Sequence, residues 1–430
     1  MSKRYRKSEA LLKRALRTIP LGTQTFSKSK TQYPLGSSPY FLTHGQGSHV
    51  WDVDGNEYID FNNALAAITL GYCDPDVTRA VTEQLKEGVI FTLPHPLEVE
   101  VAEMITHMVP CAEMVRYGKN GSDATAGAIR VARAHTRRDH VAVCGYHGWQ
   151  DWYIGSTSRN LGVPKATQAL THKFTYNDLE SLHRVFRDHP GEIAAVIMEP
   201  VNATDPHPGF LESIRELTTR EGALLIFDET ITGFRLSNGG AQELYKVTPD
   251  LASFGKGVAN GYPLSVVAGK AAYMRQMEEV FFSFTFGGEA LSLAAAKATL
   301  KKLHTKPILK TIKTRGERVL DGVRRLIREE DMDYMVSVSG HPAWSFINFS
   351  GAGEYDVSTI KTFFLQEMFA RGILLLGTHN MSYAHSPSDV ERLLKAYHEV
   401  FGMLKHAIQH KDLMDHLHCE PLKPLFQIRS

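Results

Sequence analysis

The chain has 430 residues, of which 43% are hydrophobic and 22% are charged, an ordinary globular composition. Its 48 Lys and Arg residues nearly balance its 47 Asp and Glu residues, so we expect neither a nucleic acid nor a membrane surface as a partner. A chain of this length usually forms two domains, and no apolar run approaches the roughly 20 residues of a membrane span.

The four cysteines lie far apart without a CxxC pair, so neither a zinc knuckle nor a disulfide framework is predicted. The 20 histidines form no HExxH or comparable motif, and we predict no metal site. The basic N-terminus, residues 1–17, lacks the apolar core of a secretion signal. We therefore expect a soluble, cytoplasmic protein with reduced thiols.

The N-terminal segment combines a helix with a hairpin. Residues 8–19 carry Leu, Ala and Ile at helical spacing, which predicts an amphipathic helix. A polar stretch rich in Ser, Thr, Gly and Pro follows at residues 23–38. Residues 49–60 contain two β-rich runs joined by the turn sequence Asp-Gly-Asn, the pattern of a β-hairpin.

Helical and apolar runs alternate between residues 97 and 269. Helices are predicted over residues 98–107, 124–135, 179–187 and 210–221. Short apolar runs that suit strands buried on both faces cover residues 114–117, 140–144, 194–198, 223–227 and 265–269. This alternation predicts an α/β domain with a largely parallel sheet.

The chain beyond residue 286 starts with long helices and then becomes an α+β segment. The helices are predicted over residues 291–303 and 308–329, the apolar runs at 343–348 and 373–376, and the last helix at 387–406. We expect both ends of the chain to form one small domain beside the central one. The predicted domain ranges are 1–65, 66–315 and 316–430.

Lys256 stands between two glycines, after an apolar run and before a Gly-Tyr-Pro turn. Flanking glycines let a planar cofactor approach the backbone and let the lysine project freely. A desolvated lysine is a usable nucleophile and proton carrier. Taken alone, however, this motif also fits an exposed surface charge in a Gly-rich loop.

Asp228 ends the apolar run 223–227 and precedes Glu229, so both acids lie where a ligand crevice is expected in an open α/β sheet. An aspartate there could keep a pyridine nitrogen protonated. A helix cap or a structural ion pair is the alternative.

Gly121 and Ser122 lie in a run of small residues that opens a helix, a pattern suited to binding phosphate through free backbone N–H groups. A plain helix N-cap would look the same. Tyr146 lies in the sequence Gly-Tyr-His-Gly-Trp, where an aromatic ring between glycines can lie flat on a planar ring; a core aromatic is the alternative.

Two further motifs are weaker. Glu199 and Asn202 follow another apolar run, and Thr285 precedes paired glycines; ordinary turn chemistry also explains both. The order along the chain is more informative than any one motif. It runs from phosphate cradle to ring stacker, then to two acid-tipped strands, and ends at a Gly-flanked lysine.

This order resembles the class III aminotransferases, pyridoxal-5′-phosphate (PLP) enzymes of fold type I, and within them the glutamate-1-semialdehyde 2,1-aminomutase branch. The resemblance covers nearly the whole chain, including residues 8–11, 19–20, 51–55 and the Gly-Phe-Arg sequence at 233–235. It implies an α/β fold in which a large domain with a mostly parallel seven-stranded sheet accompanies a small α+β domain built from both termini.

The resemblance also implies a role for each motif. Lys256 is similar to the Schiff-base lysine that moves the proton, and Asp228 to the partner of the pyridine nitrogen. The remaining cofactor-binding positions are implied to be Gly121 and Ser122 at the phosphate, Tyr146 on the ring face, Glu199 and Asn202 at the ring edge, and Thr285 at the phosphate of the other subunit. The last role implies a homodimer with shared active sites.

The chain departs from the aminomutase pattern on the substrate side. Lys28, in a stretch that begins at Thr25, stands where the branch has an arginine, and lysine lacks the planar fork that grips a carboxylate. Residues 372–388 contain no acid where the aminomutases carry a glutamate. We expect Thr25, Lys28, His147 and His379 to be the substrate-contacting residues.

We therefore predict an aminotransferase that moves an amino group from a small-molecule donor to an aldehyde or ketone acceptor by ping-pong Schiff-base chemistry. The departures favour a sugar-like or cell-surface polysaccharide precursor as acceptor. One alternative is the aminomutase, an isomerase that transfers the group within one molecule. Another is a catalytically inactive binding subunit of the same fold.

Overall fold

The computed structural model describes residues 3–423, which form two compact units. The terminal unit contains the described residues up to Leu65, Thr69–Asp74, and those from Lys310 onward; the central unit contains Ala66–Ile68 and Pro75–Leu309. The sequence had placed the second boundary after residue 315. The difference arises because this boundary falls near the start of a continuous helix, Ile308–Glu329, where the apolar pattern has no break.

The strands, numbered in chain order, are β1 Leu42–Gln46, β2 His49–Asp52, β3 Glu57–Asp60, β4 Met114–Gly118, β5 His140–Cys144, β6 Thr171–Lys173, β7 Ile193–Met198, β8 Leu224–Asp228, β9 Leu251–Phe254, β10 Ser265–Gly269, β11 Val336–His341, β12 Trp344–Phe349, β13 Ile373–Leu374 and β14 Thr378–Asn380. Strands β4 to β10 lie in the central unit and the others in the terminal unit.

The α-helices of ten or more residues are Arg6–Ala15, Pro75–Glu87, Pro96–Met108, Gly121–Thr136, Leu179–Asp188, Phe210–Glu221, Ala290–Thr305, Ile308–Glu329, Val357–Ala370 and Pro387–His410. None of the helices in the described range is both long and apolar enough to cross a membrane. All the helices that the sequence predicted are present, most with bounds shifted by a few residues. The first helix ends at Ala15 rather than at residue 19.

The central unit is built on a seven-stranded sheet of order β4-β10-β9-β8-β7-β5-β6. Neighbouring strands from β6 to β9 pair in parallel, and β10 is antiparallel to both of its neighbours. Every residue of β7, β8, β9 and β10 is buried, as expected for strands covered on both faces. The predicted α/β fold with a mostly parallel seven-stranded sheet is confirmed.

The terminal unit joins both ends of the chain through a four-stranded sheet of order β1-β2-β3-β13. The predicted hairpin forms its centre, since β2 and β3 pair antiparallel. Strand β13, from the C-terminal half, pairs in parallel with β3, and Arg4 donates to the backbone oxygens of Phe369 and Ala370. A separate three-stranded sheet has the order β11-β12-β14.

Candidate active site

The predicted cofactor residues gather at one edge of the seven-stranded sheet. Strands β5, β7, β8 and β9 are parallel neighbours, so their carboxyl ends meet at this edge, the usual ligand-binding edge of such sheets. Tyr146 and His147 follow β5, Glu199 follows β7, Asp228 ends β8, and Lys256 comes two residues after β9. Sheet topology alone therefore brings together groups that are distant in the sequence.

Asp228 is buried and accepts several hydrogen bonds. Its Oδ1 accepts from the Thr230 hydroxyl at 2.6 Å, the Thr230 backbone N–H at 3.1 Å and the Ser253 hydroxyl at 3.0 Å, while its Oδ2 lies 2.8 Å from His147 Nδ1. Burial alone would raise the pKa of Asp228, but the hydrogen bond and charge of His147, with the Thr230 donors, hold it below its usual value. The carboxylate is therefore ionised at neutral pH.

His147 fixes the position of the Asp228 carboxylate. The ring is 1% exposed, and its second nitrogen, Nε2, lies 3.1 Å from the Cys144 carbonyl oxygen. Because both ring nitrogens face protein acceptors, His147 holds the carboxylate in place and has no free edge for a substrate. This corrects the sequence-based assignment of His147 to the substrate site.

The helix Gly121–Thr136 points its N-terminus at the same edge. Its leading loop is fixed by the Asp123 carboxylate, which accepts from the backbone N–H groups of Lys119 and Asn120. The N–H groups of the first helical turn have no intrahelical acceptor and suit an anion. A Cβ at Gly121 would lie 3.0 Å from Thr230 Cγ2, a tight contact that Thr230 would have to relieve by shifting.

The loop after β5 is packed tightly against this helix start. The Thr125 hydroxyl donates to the His147 carbonyl oxygen at 2.8 Å. Gly148 has a φ of +106°, and a Cβ there would lie 2.4 Å from the Cβ of Ser122. Glycine is therefore required at this position, both for its backbone conformation and for the close approach of the two segments.

Tyr146 has the half-buried position expected of a ring stacker. Its backbone N–H donates to Glu199 Oε2 at 3.3 Å, and its ring meets that of Tyr153 edge to face, with centroids 5.7 Å apart. The Tyr153 hydroxyl in turn donates to the Gly145 carbonyl oxygen at 2.8 Å. These contacts fix the turn that carries Tyr146.

Lys256 has a strained backbone. Its φ is +42°, in the left-handed region that residues other than glycine seldom adopt, and it opens the short 3₁₀ turn Lys256–Ala259. Such strain is typically maintained at functional sites because the surrounding structure enforces it. The preceding Gly255 lies against Gly121, since a Cβ on Gly255 would be 3.8 Å from the Gly121 Cα. The lysine therefore leaves the backbone next to the helix start.

This donor set fits a planar, phosphate-bearing pyridine. A tightly packed helix start that begins with Gly121 suits the phosphate, and a buried, ionised carboxylate suits a protonated ring nitrogen. A half-buried aromatic and a strained lysine lie at the same edge. Together with the sheet, these features define a PLP-dependent transferase of fold type I.

Comparison with known proteins gives the family. The aminotransferase class-III family profile matches residues 32–408, and the chain belongs to that family. It is 34% identical to the 3-aminobutyryl-CoA aminotransferase of Cloacimonas acidaminovorans, covering 93% of this chain and 97% of the relative. It is also 34% identical to the glutamate-1-semialdehyde 2,1-aminomutase of Aquifex aeolicus, covering 86% and 92%.

A solved structure agrees with this placement. The PLP form of the FumI protein from Sphingopyxis sp. MTA144 superposes with a TM-score of 0.88 at 28% identity, covering 97% of this chain and 99% of that one. The protein is accordingly an enzyme that uses PLP, and the expected cofactor is confirmed.

The weaker cofactor positions are less tightly organised. Asn202 lies in the loop after β7, and its Oδ1 accepts from the backbone N–H of Thr204 at 3.1 Å, a local turn contact. Thr285 is exposed to solvent. Its segment also contains three exposed aromatic residues, Phe281, Phe284 and Phe286. Their roles stay predictions.

The predicted substrate residues of the terminal unit divide into two groups. Thr25 and Lys28 are exposed, and Lys28 lines a cavity of about 360 Å³. His379, in contrast, is fully buried in β14, with Nδ1 3.0 Å from the Ser345 hydroxyl and Nε2 2.7 Å from the Tyr397 hydroxyl. His379 is a core residue, and its assignment to the substrate site was wrong.

Sequence reasoning missed the two hydroxyl residues that hold Asp228, namely Thr230 and Ser253. A signal existed for both, since each lies next to a motif already identified. It also placed Glu229, together with Asp228, at the expected ligand crevice. Glu229 is fully buried and accepts from the backbone N–H groups of Ala241 and Gln242, so it is a structural cap.

Proposed function

We propose that the protein is a transaminase in which Lys256 and Asp228 carry the chemistry. The observation that supports this most is the position of Asp228: a buried carboxylate, held ionised, at the sheet edge where Lys256 also lies. A structural ion pair would not require the strained lysine backbone or the close approach of Gly148 to the helix start beside it.

In this proposal each residue has a defined role. When bound, PLP supplies a ring that accepts electrons from the substrate carbon. Asp228 holds a proton on the ring nitrogen, and the N–H groups at Gly121 and Ser122 bind the phosphate. Lys256 Nζ removes the proton from the amine-bearing carbon of the donor and returns one during the second half-reaction. The donor leaves as a carbonyl compound before the acceptor enters, so the kinetics are ping-pong.

We further propose that the acceptor is a neutral, polyhydroxylated carbonyl compound. The cavity beside Lys28 is lined by Tyr33, Tyr72 and Asp60, and the Tyr72 hydroxyl donates to Asp60 Oδ2 at 2.6 Å. Burial raises the pKa of Asp60 and that of Tyr33. The phenols and the carboxyl group offer hydrogen-bond partners for substrate hydroxyls, and Lys28 is the one cation among the described residues of the lining.

The aminomutase is the second candidate, because several relatives with that name are 34% identical over 86–94% of this chain. Incubation of the enzyme with glutamate-1-semialdehyde alone, followed by assay of 5-aminolevulinate, separates the two functions. Slow or absent conversion is expected, since Lys28 cannot grip the carboxylate with two parallel hydrogen bonds. Efficient conversion without an added donor would establish the aminomutase.

The acceptor proposal has its own assay. The enzyme is first converted to its pyridoxamine form with an amino donor, and the return of the cofactor absorbance is then followed with sugar-like ketones, simple aldehydes and 2-oxo acids. The sugar-like ketones should react fastest. A clear preference for 2-oxo acids would contradict the polyhydroxylated acceptor but not transaminase activity.

We also propose a homodimer that includes Thr285. Phe281 is 78% exposed and Phe286 57% exposed in the segment that carries Thr285, and such exposed aromatics are typical of an interface. Thr285→Ala should weaken cofactor retention by about 1.5–3 kcal/mol, the worth of a hydrogen bond to a charged group. Light scattering and cofactor titration test this, and a monomer with full cofactor affinity would contradict it.

A further inference from the structure

Three histidines meet at the outer edge of the seven-stranded sheet. His140 is the first residue of β5, His172 lies in the edge strand β6, and His189 follows the helix Leu179–Asp188. The candidate active site lies beyond the other end of β5, so the cluster is separate from it. None of the roles proposed above involves these residues.

The three rings are close enough to share one ligand. One nitrogen from each ring lies within 4.8 Å of the others, and His140 Nδ1 is 2.7 Å from His172 Nε2. The rings of His172 and His189 stack with centroids 3.9 Å apart. Glu192 adds a carboxylate oxygen 3.3 Å from His189 Nδ1 and 3.8 Å from His140 Nε2.

The close spacing of the three rings favours a bound cation over three separate charges. Three imidazolium ions at these separations would repel one another strongly. A neutral imidazole offers the lone pair that binds a metal ion.

We propose that His140, His172 and His189 bind one divalent transition-metal ion of the Zn²⁺ class, with Glu192 as the carboxylate ligand. Imidazole donors suit zinc, copper and nickel rather than magnesium or calcium. Zn–N bonds of about 2.0–2.1 Å place tetrahedral ligand atoms about 3.4 Å apart. The present separations are 2.7 Å between His140 Nδ1 and His172 Nε2, 3.3 Å between His189 Nδ1 and Glu192, and 3.8 Å between His140 Nε2 and Glu192. Because they lie on both sides of the tetrahedral value, modest side-chain rotations complete the site.

The position of the cluster indicates what the ion would do. It would join the edge strand β6 to β5 and to the turn that precedes β7. Strand β6 has only three residues and one hydrogen-bonded neighbour, so it has little support of its own. Binding to the folded state alone raises stability by mass action. The ion is therefore structural, and activity should not depend on it.

The site is tested on the PLP-loaded enzyme without an affinity tag, after EDTA treatment and dialysis. Calorimetric titration with ZnCl₂ should show one ion per chain, with an increase in melting temperature. His172→Gln and His189→Gln should each weaken binding at least tenfold while leaving turnover and cofactor absorbance unchanged. As a matched control, the double change His406→Gln/His410→Gln removes a second stacked pair, on the helix Pro387–His410, and should leave binding intact.

Cobalt gives a second measurement that does not depend on folding stability. One equivalent of Co²⁺ should produce the visible bands of a tetrahedral site, and His172→Gln should abolish them. No zinc binding by the unaltered enzyme, or binding that survives in both single variants, would overturn the proposal. In that case the hydrogen bond between His140 and His172 and the ring stacking would be the whole explanation of the cluster.

Discussion

Replacing Asp228 with asparagine tests the proposed electron-accepting role most directly. The amide oxygen can still accept from the Thr230 and Ser253 hydroxyls that now bind Oδ1. The amide NH₂ would face His147 Nδ1, which can accept because Nε2 already faces a carbonyl oxygen. The fold should therefore tolerate the change, and what is lost is the negative charge.

The size of the effect follows from that charge. An amide cannot hold the proton on a pyridine nitrogen, so the ring becomes a poorer electron acceptor in the transition state. Removing one such charge-stabilising contact typically costs about 2.7–4 kcal/mol, or roughly 10²–10³ in kcat. The phosphate and lysine contacts are untouched, so the cofactor should be retained. Steady-state assay gives kcat, stopped-flow measurement gives the rate constant of each half-reaction, and absorbance gives the cofactor content.

Glu229→Gln is the matched control, because Glu229 is the neighbouring buried acid. Its oxygens accept from the backbone N–H groups at the start of the helix Ala241–Tyr245, so its loss should lower the melting temperature with little change in kcat. Near-normal turnover in Asp228→Asn, or an equal loss of turnover in Glu229→Gln, would refute the assignment of the ring-nitrogen contact to Asp228.

Three further predictions follow from the same contacts. Lys256→Ala should lose at least about a thousandfold in kcat. Borohydride reduction should no longer attach the cofactor to the chain of this variant. Attachment to another lysine would refute the role of Lys256. Gly148→Ala should weaken cofactor binding in an absorbance titration, because its Cβ would overlap Ser122 at a backbone φ of +106°; unchanged binding would separate this turn from the phosphate site. Burial lowers the pKa of both His379 and His385 to about 4. Between about pH 4 and 6.5 the unfolded chain therefore binds more protons than the folded one. The free energy of unfolding should fall as the pH falls through this range, by up to roughly 3 kcal/mol per residue. Urea titrations of the native chain and of His385→Asn should show a smaller acid effect in the variant.

The cofactor half of the site was predictable because sheet topology positions it. Apolar runs identify buried strands, and the carboxyl ends of parallel strands meet, so Asp228 and Lys256 could be placed together from sequence. Strand β6 was not predicted, because its sequence Thr-His-Lys has no apolar run. Strand β1, Leu-Thr-His-Gly-Gln, was missed for the same reason, and most of its residues are exposed.

The substrate half was less predictable because it depends on turns and on short strands. Gly145 and Gly148, each with a φ of +106°, break the alternation of side chains after β5, so the sequence could not show that His147 is buried while Tyr146 is half-buried. His379 lies in the stretch where the aminomutases carry a glutamate, and the three-residue strand β14 has no periodic signal that would show its burial. Its burial comes entirely from tertiary pairing with β12.

The histidine cluster is a second feature that sequence reasoning could not predict. Metal motifs that can be recognised in sequence place their ligands on one helix or one turn, a few residues apart. His140 and His172 are separated by 32 residues and meet only because β5 and β6 pair in parallel. His189 joins them where the helix that follows β6 returns to the sheet at β7. A search for local spacing could not find this site, since pairing between strands, rather than any sequence motif, brings its ligands together.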